Sequence, residues 1–358
     1  MFLRSMLKRA HIDVIGKCNQ RCLHCHMSDF YGENPSKNRL LKIIKKLKEI
    51  GVEKVALSGG EPFLRKDLFE ILKECPRNTS ILTNTTLLNT DHITKLKKFK
   101  DKYNKIITLR IGLDGLESHK ALRGYDYKPV IKKIKLIKKN DLIVVINTTI
   151  SPFLKKGELL KLLDLLEKLR VDQWNIDIPF NEGSFKENKL NIELNYTLSE
   201  LKKLIVKYLE GKNNIRLDIV GLFCSERIKK GSGFYECELN AHPCNYQLRS
   251  ITINPKGEIL VCPSLHIPFG KIANELRTYR NSKEWRDFVE KNRSYPKGCK
   301  ECRYLKICGG GCRANAYTYE GDLWGEDKLS CKLMEFLEKE IVPLYPKEIQ
   351  KQFKKLML

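Results

Sequence analysis

No run of 18 or more apolar residues occurs in the sequence, which excludes an ordinary membrane-spanning helix. The opening residues 1–9 carry charge but lack the long apolar segment of a secretory signal peptide. A soluble, cytoplasmic protein with no membrane partner is therefore the expectation. Internal repeats and low-complexity tracts are absent as well. Acidic residues are scarce beside basic ones: 43 Asp and Glu against 67 Lys and Arg leave a formal net charge of +24. Attraction to nucleic acid or to an acidic peptide is one reading of that excess. The other is a lysine-rich composition on solvated helix faces, as in thermophiles. The lysines are spread through helical stretches, as at Lys42, Lys45, Lys46 and Lys48, with no arginine–aromatic interleave. That spread favours the second reading and argues against nucleic acid as partner.

What the sequence does hold is cysteine. Thirteen occur in 358 residues, and in a cytoplasmic chain, where disulfides are disfavoured, that number points to metal or redox chemistry. Three lie near the start, Cys75 stands alone, and nine lie from Cys224 onward. The length fits two domains, or one large α/β barrel with an addition.

From residue 11 to about 180, short β-rich runs alternate with amphipathic helical runs. The predicted strands are 11–16, 54–60, 80–85, 106–113, 142–150 and 174–180; the predicted helices are 35–50, 67–74, 90–100, 127–139 and 157–170. Six strands separated by helices argue a parallel sheet, as a partial barrel or a doubly wound sheet. Leu142 to Ile146 is continuously apolar, as a strand covered on both faces should be. Residues 181–240 are less regular, with one helix over 198–209. Beyond 241, residues 249–254 and 258–262 around Pro255-Lys256-Gly257 predict a β-hairpin. A cysteine-dense stretch with Gly309 to Gly311 follows. The tail from 332 predicts helix broken at Pro343 and Pro346.

Cys18, Cys22 and Cys25 directly follow the first predicted strand, at spacings of three and two residues. A tight loop can aim three such sulfurs at one small volume. Three thiolates leave an iron–sulfur cluster with one iron open. Zinc with His24 or His26 as fourth ligand is the rival, although zinc favours ligand pairs far apart in sequence. The ends of barrel strands are where active sites lie. After the second strand comes Ser58-Gly59-Gly60-Glu61-Pro62, whose glycines allow close backbone approach and whose Glu61 can accept hydrogen bonds from an ammonium group.

The C-terminal cysteines are Cys244-x12-Gly257-x4-Cys262, then Cys299-x2-Cys302-x5-Cys308-x3-Cys312, then Cys331. With Cys237 they make eight ligands, enough for two four-cysteine sites, which zinc ribbons or iron–sulfur clusters would both satisfy.

These residues resemble the radical S-adenosylmethionine (SAM) superfamily. Cys18, Cys22 and Cys25 match its CxxxCxxC loop, and Gly59, Gly60, Glu61 and Pro62 match its amino-binding motif. The resemblance implies a [4Fe–4S] cluster whose open iron chelates the amino and carboxylate groups of SAM. One electron then cleaves the C–S bond, and the 5′-deoxyadenosyl radical abstracts a substrate hydrogen. His24, in a place often aromatic in the family, would pack over the adenine or serve structure. Asn84 could line the pocket. Ile111 to Gly115 resembles the family's Ser-Leu-Asp-Gly segment, with Asp114 matching and Gly112 replacing the serine. Arg123 could pair with the methionyl carboxylate, and Asn147 could contact the adenosyl group.

The C-terminal pattern is similar to the SPASM extension at all seven of its positions. That similarity implies two auxiliary [4Fe–4S] clusters, three in all. Cys244, Cys262 and Cys312 would bind the first, with Cys237 or an open position completing it; Cys299, Cys302, Cys308 and Cys331 would bind the second. Cys75 and Cys224 remain as buried thiols. The expected architecture is α/β: a partial (β/α)6 TIM-like barrel over 1–200, a linking region over 201–240, and a SPASM domain with a hairpin and C-terminal helix over 241–358.

Enzymes with this extension mostly modify ribosomally made peptides or proteins, by cross-linking, epimerisation or oxidation, with a flavodoxin or ferredoxin as reductant. In sulfatase maturation an aspartate after the hairpin cysteine would be expected; here Pro263 follows Cys262. The first predicted strand begins at residue 11, so a separate leader-binding domain ahead of the barrel is not expected. Peptide modification is the expectation, with no residue assignable as general base. The rivals are a sulfatase-maturase-like enzyme, a radical enzyme acting on a small cofactor precursor, an iron–sulfur electron carrier, and a zinc-ribbon nucleic-acid binder.

Overall fold

Strand order decides the architecture. In the computed structural model, which describes residues 7–229, 250–271 and 282–357, β1 (Arg9–Ile15), β2 (Lys54–Gly59), β3 (Asn78–Thr83), β4 (Ile106–Gly112), β5 (Ile143–Thr149), β6 (Gln173–Asp177) and β7 (Arg216–Ile219) are successive parallel neighbours. Sequential order with crossovers always in one direction is the winding of a barrel, not of a doubly wound sheet. Among the described residues the outermost strands do not pair with each other, so the barrel is open.

Helices cover the connections because their apolar residues recur at helical spacing. In α1 (Lys37–Glu49) the buried stripe is Leu40, Ile43, Ile44 and Leu47; in α6 (Glu158–Lys168) it includes Leu159, Leu162, Leu163 and Leu166. Ser36 caps α1 by accepting from the Arg39 amide, and Asp126 caps α5 (Tyr127–Lys139) through the Lys128 amide. Val144, Val145 and Ile146 are buried, as a strand covered on both faces requires.

Two features lie beyond the sequence expectation. Residues 201–229 hold the end of α8 (Leu194–Glu210), β7, the antiparallel β8 (Phe223–Cys224) and a short helix, so this part of the expected linking region extends the sheet. β7 carries little sequence signal, being four residues long and alternating Arg216 and Asp218 with buried Leu217 and Ile219. The predicted hairpin exists, as β9 (Ser250–Ile253) and β10 (Glu258–Cys262), followed by β11 (Leu265–Lys271). However, β9 also pairs in parallel with β1, which joins the hairpin to the barrel sheet. The hairpin turn uses Gly257 at φ +74° with its amide donating to Asn254 O at 2.8 Å.

The C-terminal tail packs on the opposite edge. Helix Lys328–Phe336 runs into a π turn, Leu337–Ile341, and a 3-10 turn, Val342–Leu344, before a last helix, Lys347–Leu356. Tyr345 donates its hydroxyl to Leu222 O at 2.9 Å, and Lys202 pairs with Glu340 at 2.5 Å. The extension therefore touches both edges of the open barrel. Among the described residues, no helix is long and apolar enough to cross a membrane.

Candidate cofactor and cluster site

The cysteine loop leaves the end of β1 and has no regular structure of its own; its shape comes from hydrogen bonds to its neighbours. The Leu23 amide donates to Leu122 O at 2.9 Å, the Ser184 amide to Cys25 O at 2.9 Å, and Asn188 Nδ2 to Leu23 O at 3.2 Å. The Gln20 amide points at Cys18 Sγ, 3.4 Å away, with Asn84 Nδ2 at 3.8 Å. Gly59 and Gly60 dock β2 against this loop. A Cβ on Gly60 would lie 2.1 Å from Lys17 O, and one on Gly59, at φ +114°, 2.1 Å from Ile15 O, so no side chain fits at either. The Gly60 amide donates to Ile15 O at 2.6 Å and the Glu61 amide to Lys17 O at 3.0 Å.

The donor set suits a cluster. Burial pushes the Cys22 thiol up to about 11 in spite of the Arg123 charge, and raises Cys18 as well, with each thiolate further opposed by its fellows. Thiols whose surroundings resist ionisation, as those of Cys18 and Cys22 do, are helped to ionise by a nearby cation, and a bound metal centre would supply that charge. Among the described residues, no three His, Cys, Asp or Glu side chains converge tightly enough for a single ion. A cube-shaped cluster needs no such convergence, because each cysteine takes a different iron.

Glu61, expected to accept hydrogen bonds from an ammonium group, is engaged within the chain. Its carboxylate is fully buried and accepts from Phe63 N at 3.1 Å, Thr83 Oγ1 at 3.0 Å and Asn84 N at 2.8 Å. It ties the end of β2 to the end of β3, and burial raises its carboxyl to about 7 against those donors. Pro62 opens the 3-10 turn Pro62–Leu64. Asn84 bridges outward, donating to Asn19 Oδ1 at 2.9 Å. Beside it Thr85 holds φ +65°, an uncommon conformation for a β-branched residue.

Arg123 likewise finds its partner within the chain. Its Nε and Nη2 grip Asp114, the latter at 3.1 Å from Oδ1, whereas the sequence paired Arg123 with a ligand carboxylate. Asp114 is wholly buried and also accepts from Thr149 N at 3.0 Å. Burial works to raise its carboxyl, but Arg123 and His24 outweigh it and hold the group down at about 2. Gly112 is part of the same unit. A Cβ there would lie 2.5 Å from Arg123 Nη2, so the guanidinium fills the space of the family's serine. His24 is kept neutral by burial, at about 4, with a buried Nδ1 that has no partner. Asn147, at the end of β5, accepts from Asn175 Nδ2 at 2.9 Å.

In the extension, Cys299, Cys302, Cys308 and Cys331 line one cavity of about 190 Å³, together with Gly310 and Gly311. Burial and mutual repulsion push Cys299 to about 11 and Cys308 to about 12, and raise Cys331, which lies at the surface. Sequence reasoning missed Asp327. Nearly buried, it accepts from Cys312 N at 2.8 Å and Ser330 N at 3.0 Å, and so links two cysteine-bearing segments. Cys262 and Cys312 are half-buried, while Cys237 and Cys244 lie outside the described residues. Of the two cysteines left over, Cys75 is buried and Cys224, on β8, only half-buried.

Comparison with known proteins follows this division. A profile of the radical SAM superfamily matches residues 12–166, and one of an iron–sulfur cluster-binding domain, SPASM, matches residues 244–303. Among curated relatives, the GTP 3′,8-cyclase of Clostridium perfringens is 26% identical over 78% of this chain and 88% of its own. The PqqA peptide cyclase of Bradyrhizobium diazoefficiens is 23% identical over 88% and 84%, and the AdoMet-dependent heme synthase of Nitratidesulfovibrio vulgaris 23% over 88% and 90%. Among solved structures, Streptococcus suis SuiB bound to precursor peptide SuiA superposes with a TM-score of 0.71 at 20% identity, covering 92% of this chain and 76% of that one. The anSMEcpe enzyme with bound AdoMet and Cp18Cys peptide gives 0.73 at 19%, covering 98% and 99%.

Proposed function

Because this chain belongs to the radical SAM superfamily and carries its SPASM extension, we propose that it abstracts hydrogen from a ribosomally made peptide or protein during peptide maturation. When bound, the cluster and SAM supply a 5′-deoxyadenosyl radical by one-electron cleavage of the C–S bond. The residues of this chain provide the setting. Cys18, Cys22 and Cys25 would hold three irons and leave the fourth to SAM. Gly59 and Gly60 bring backbone against the cysteine loop; Glu61 and Asn84 fix the neighbouring strand end; Asp114 locks Arg123 over Gly112; and His24 presents a neutral ring. Cys299, Cys302, Cys308 and Cys331 would hold one auxiliary cluster, and Cys237, Cys244, Cys262 and Cys312 another. A flavodoxin or ferredoxin would supply the electron.

The observation that supports the peptide reading is the packing of the extension on both edges of the open barrel, with the loop after β6 bonded both to Cys25 O and to Thr318 O beside the cysteine loop. Two enzymes of this full-length fold were solved with peptides bound. A small-molecule reading has its own support in the GTP 3′,8-cyclase and heme synthase relatives, and in the side-chain ladder Asn147–Asn175–Gln173–Asp218 across β5 to β7. The test is anaerobic incubation of reconstituted protein with SAM and reductant, offered in turn the peptides encoded beside its gene, GTP and a porphyrin precursor. A mass change in a peptide is expected. Turnover of GTP or the porphyrin with all peptides unchanged would reverse the assignment.

A further inference from the structure

The loop after β6 is anchored at both ends and unsatisfied in the middle. On the extension side, Tyr319 donates its hydroxyl to Pro179 O at 2.6 Å and Asn181 Nδ2 donates to Thr318 O at 3.1 Å. On the barrel side, the Ser184 amide donates to Cys25 O at 2.9 Å. Gly183, at φ +49°, passes so close that a Cβ would lie 2.4 Å from Cys25 O and 2.9 Å from Ser28 Oγ. Glu182 is thereby fixed between the cysteine loop and the helix Arg313–Glu320. Yet among the described residues three side-chain oxygens, Glu182 Oε1, Ser28 Oγ and Thr318 Oγ1, are buried without a hydrogen-bond partner, on segments that Gly183 brings against Ser28 and Asn181 brings against Thr318. Buried polar atoms are satisfied in the great majority of proteins, and exceptions concentrate where a water or a ligand belongs.

We infer that Glu182, with the hydroxyls of Ser28 and Thr318, forms a subsite that takes an amide group of the substrate chain at the seam between barrel and extension. This deepens the peptide reading and rests on it. The chemistry matches an amide in particular. Burial, with the Asp29 charge beside it, pushes the Glu182 carboxyl up to about 8. Asp29 belongs to the cysteine segment, and His266 of β11 faces it, with Nδ1 3.5 Å from Asp29 Oδ2. A protonated carboxyl offers one donor and one acceptor, as a hydroxyl does, and an amide needs one of each for its C=O and N–H. An ammonium or a phosphate would use only half of that pattern.

The experiment uses the reconstituted full chain, immobilised anaerobically with SAM and exposed to a pool of random synthetic peptides, with the retained peptides counted by mass spectrometry. Glu182→Leu should lower retention about tenfold, whereas Glu182→Gln, which keeps a donor and an acceptor, should stay within about threefold. Iron content and melting temperature report whether each variant folds, and Thr318→Val, expected to lose about threefold, replaces Glu182→Leu if that variant does not fold. Retention by Glu182→Leu equal to the unaltered chain would overturn the subsite and leave the gap to water. Retention of no peptide by the unaltered chain would instead defeat the peptide reading itself, and the amide assignment with it.

Discussion

The two cysteine sites differ in what holds them. The three-cysteine loop has no regular structure, but the parallel sheet and its helices fix it through Gly59, Gly60, Leu122, Ser184 and Asn188. The four-cysteine site is spread over the short helices Lys297–Lys300 and Leu305–Cys308, the turn between them that carries Cys302, and the helix Lys328–Phe336 that carries Cys331; the first two bury only Cys299 between them. One site is an open position on a scaffold that stands without it. The other would draw its four ligands from short segments linked through Asp327, so a metal bound there would contribute folding energy directly.

This contrast is sharpest in the cysteine variants. Cys308→Ala should lower the thermal midpoint of the iron-loaded chain far more than Cys22→Ala, by the several kcal/mol a structural metal site contributes. Equal shifts by differential scanning calorimetry would erase the distinction. Within the barrel site, the next largest effect belongs to the buried pair. Asp114→Asn leaves the Arg123 guanidinium without its charge partner and should cost about 3–5 kcal/mol in chemical denaturation. The Asp114 carboxyl is depressed from 3.8 to about 2. Its contribution is thus present above pH 3.8 and lost as pH falls toward 2, and the loss of stability over that window, roughly 2 kcal/mol, should vanish in the variant.

Asp327→Asn tests the extension. Its carboxylate orients the Cys312 and Ser330 amides, and losing the charge should speed iron release to a chelator about 10–100-fold while the barrel site keeps its iron. The smallest effect expected is at Gly112. Serine there meets the Arg123 guanidinium and should cost about 1–3 kcal/mol. Combined with Arg123→Ala, the two losses should sum to less than their parts, because the clash is gone.

Much of this was legible in the sequence, and the reasons are physical. Strands β1 to β6 were legible because short β-rich runs alternate with amphipathic helical runs, and β5 in addition is continuously apolar where both its faces are covered. Cysteine spacing marked the three-cysteine loop as one unit, and the structure lines one cavity with Cys299, Cys302, Cys308 and Cys331. What stayed hidden was long-range. The parallel pairing of β9 with β1 depends on 250 and 9 meeting, which no local pattern encodes. Glu61 and Arg123 read as ligand contacts from their motifs, yet they find partners within the chain, at Asn84, Phe63 and Asp114. Glu182 and Asp327 gave no signal, since a lone carboxylate in a loop looks like surface until its burial is seen.

The central claim is that the Cys18–Cys22–Cys25 loop holds an open iron that activates SAM. Anaerobic incubation of the reconstituted chain with SAM and dithionite, with 5′-deoxyadenosine measured by chromatography, tests it most directly. The account predicts 5′-deoxyadenosine from the unaltered chain and none above background from Cys18→Ala, Cys22→Ala or Cys25→Ala. Equal yields from the unaltered chain and these variants, or no yield from a chain carrying its full iron, would contradict it.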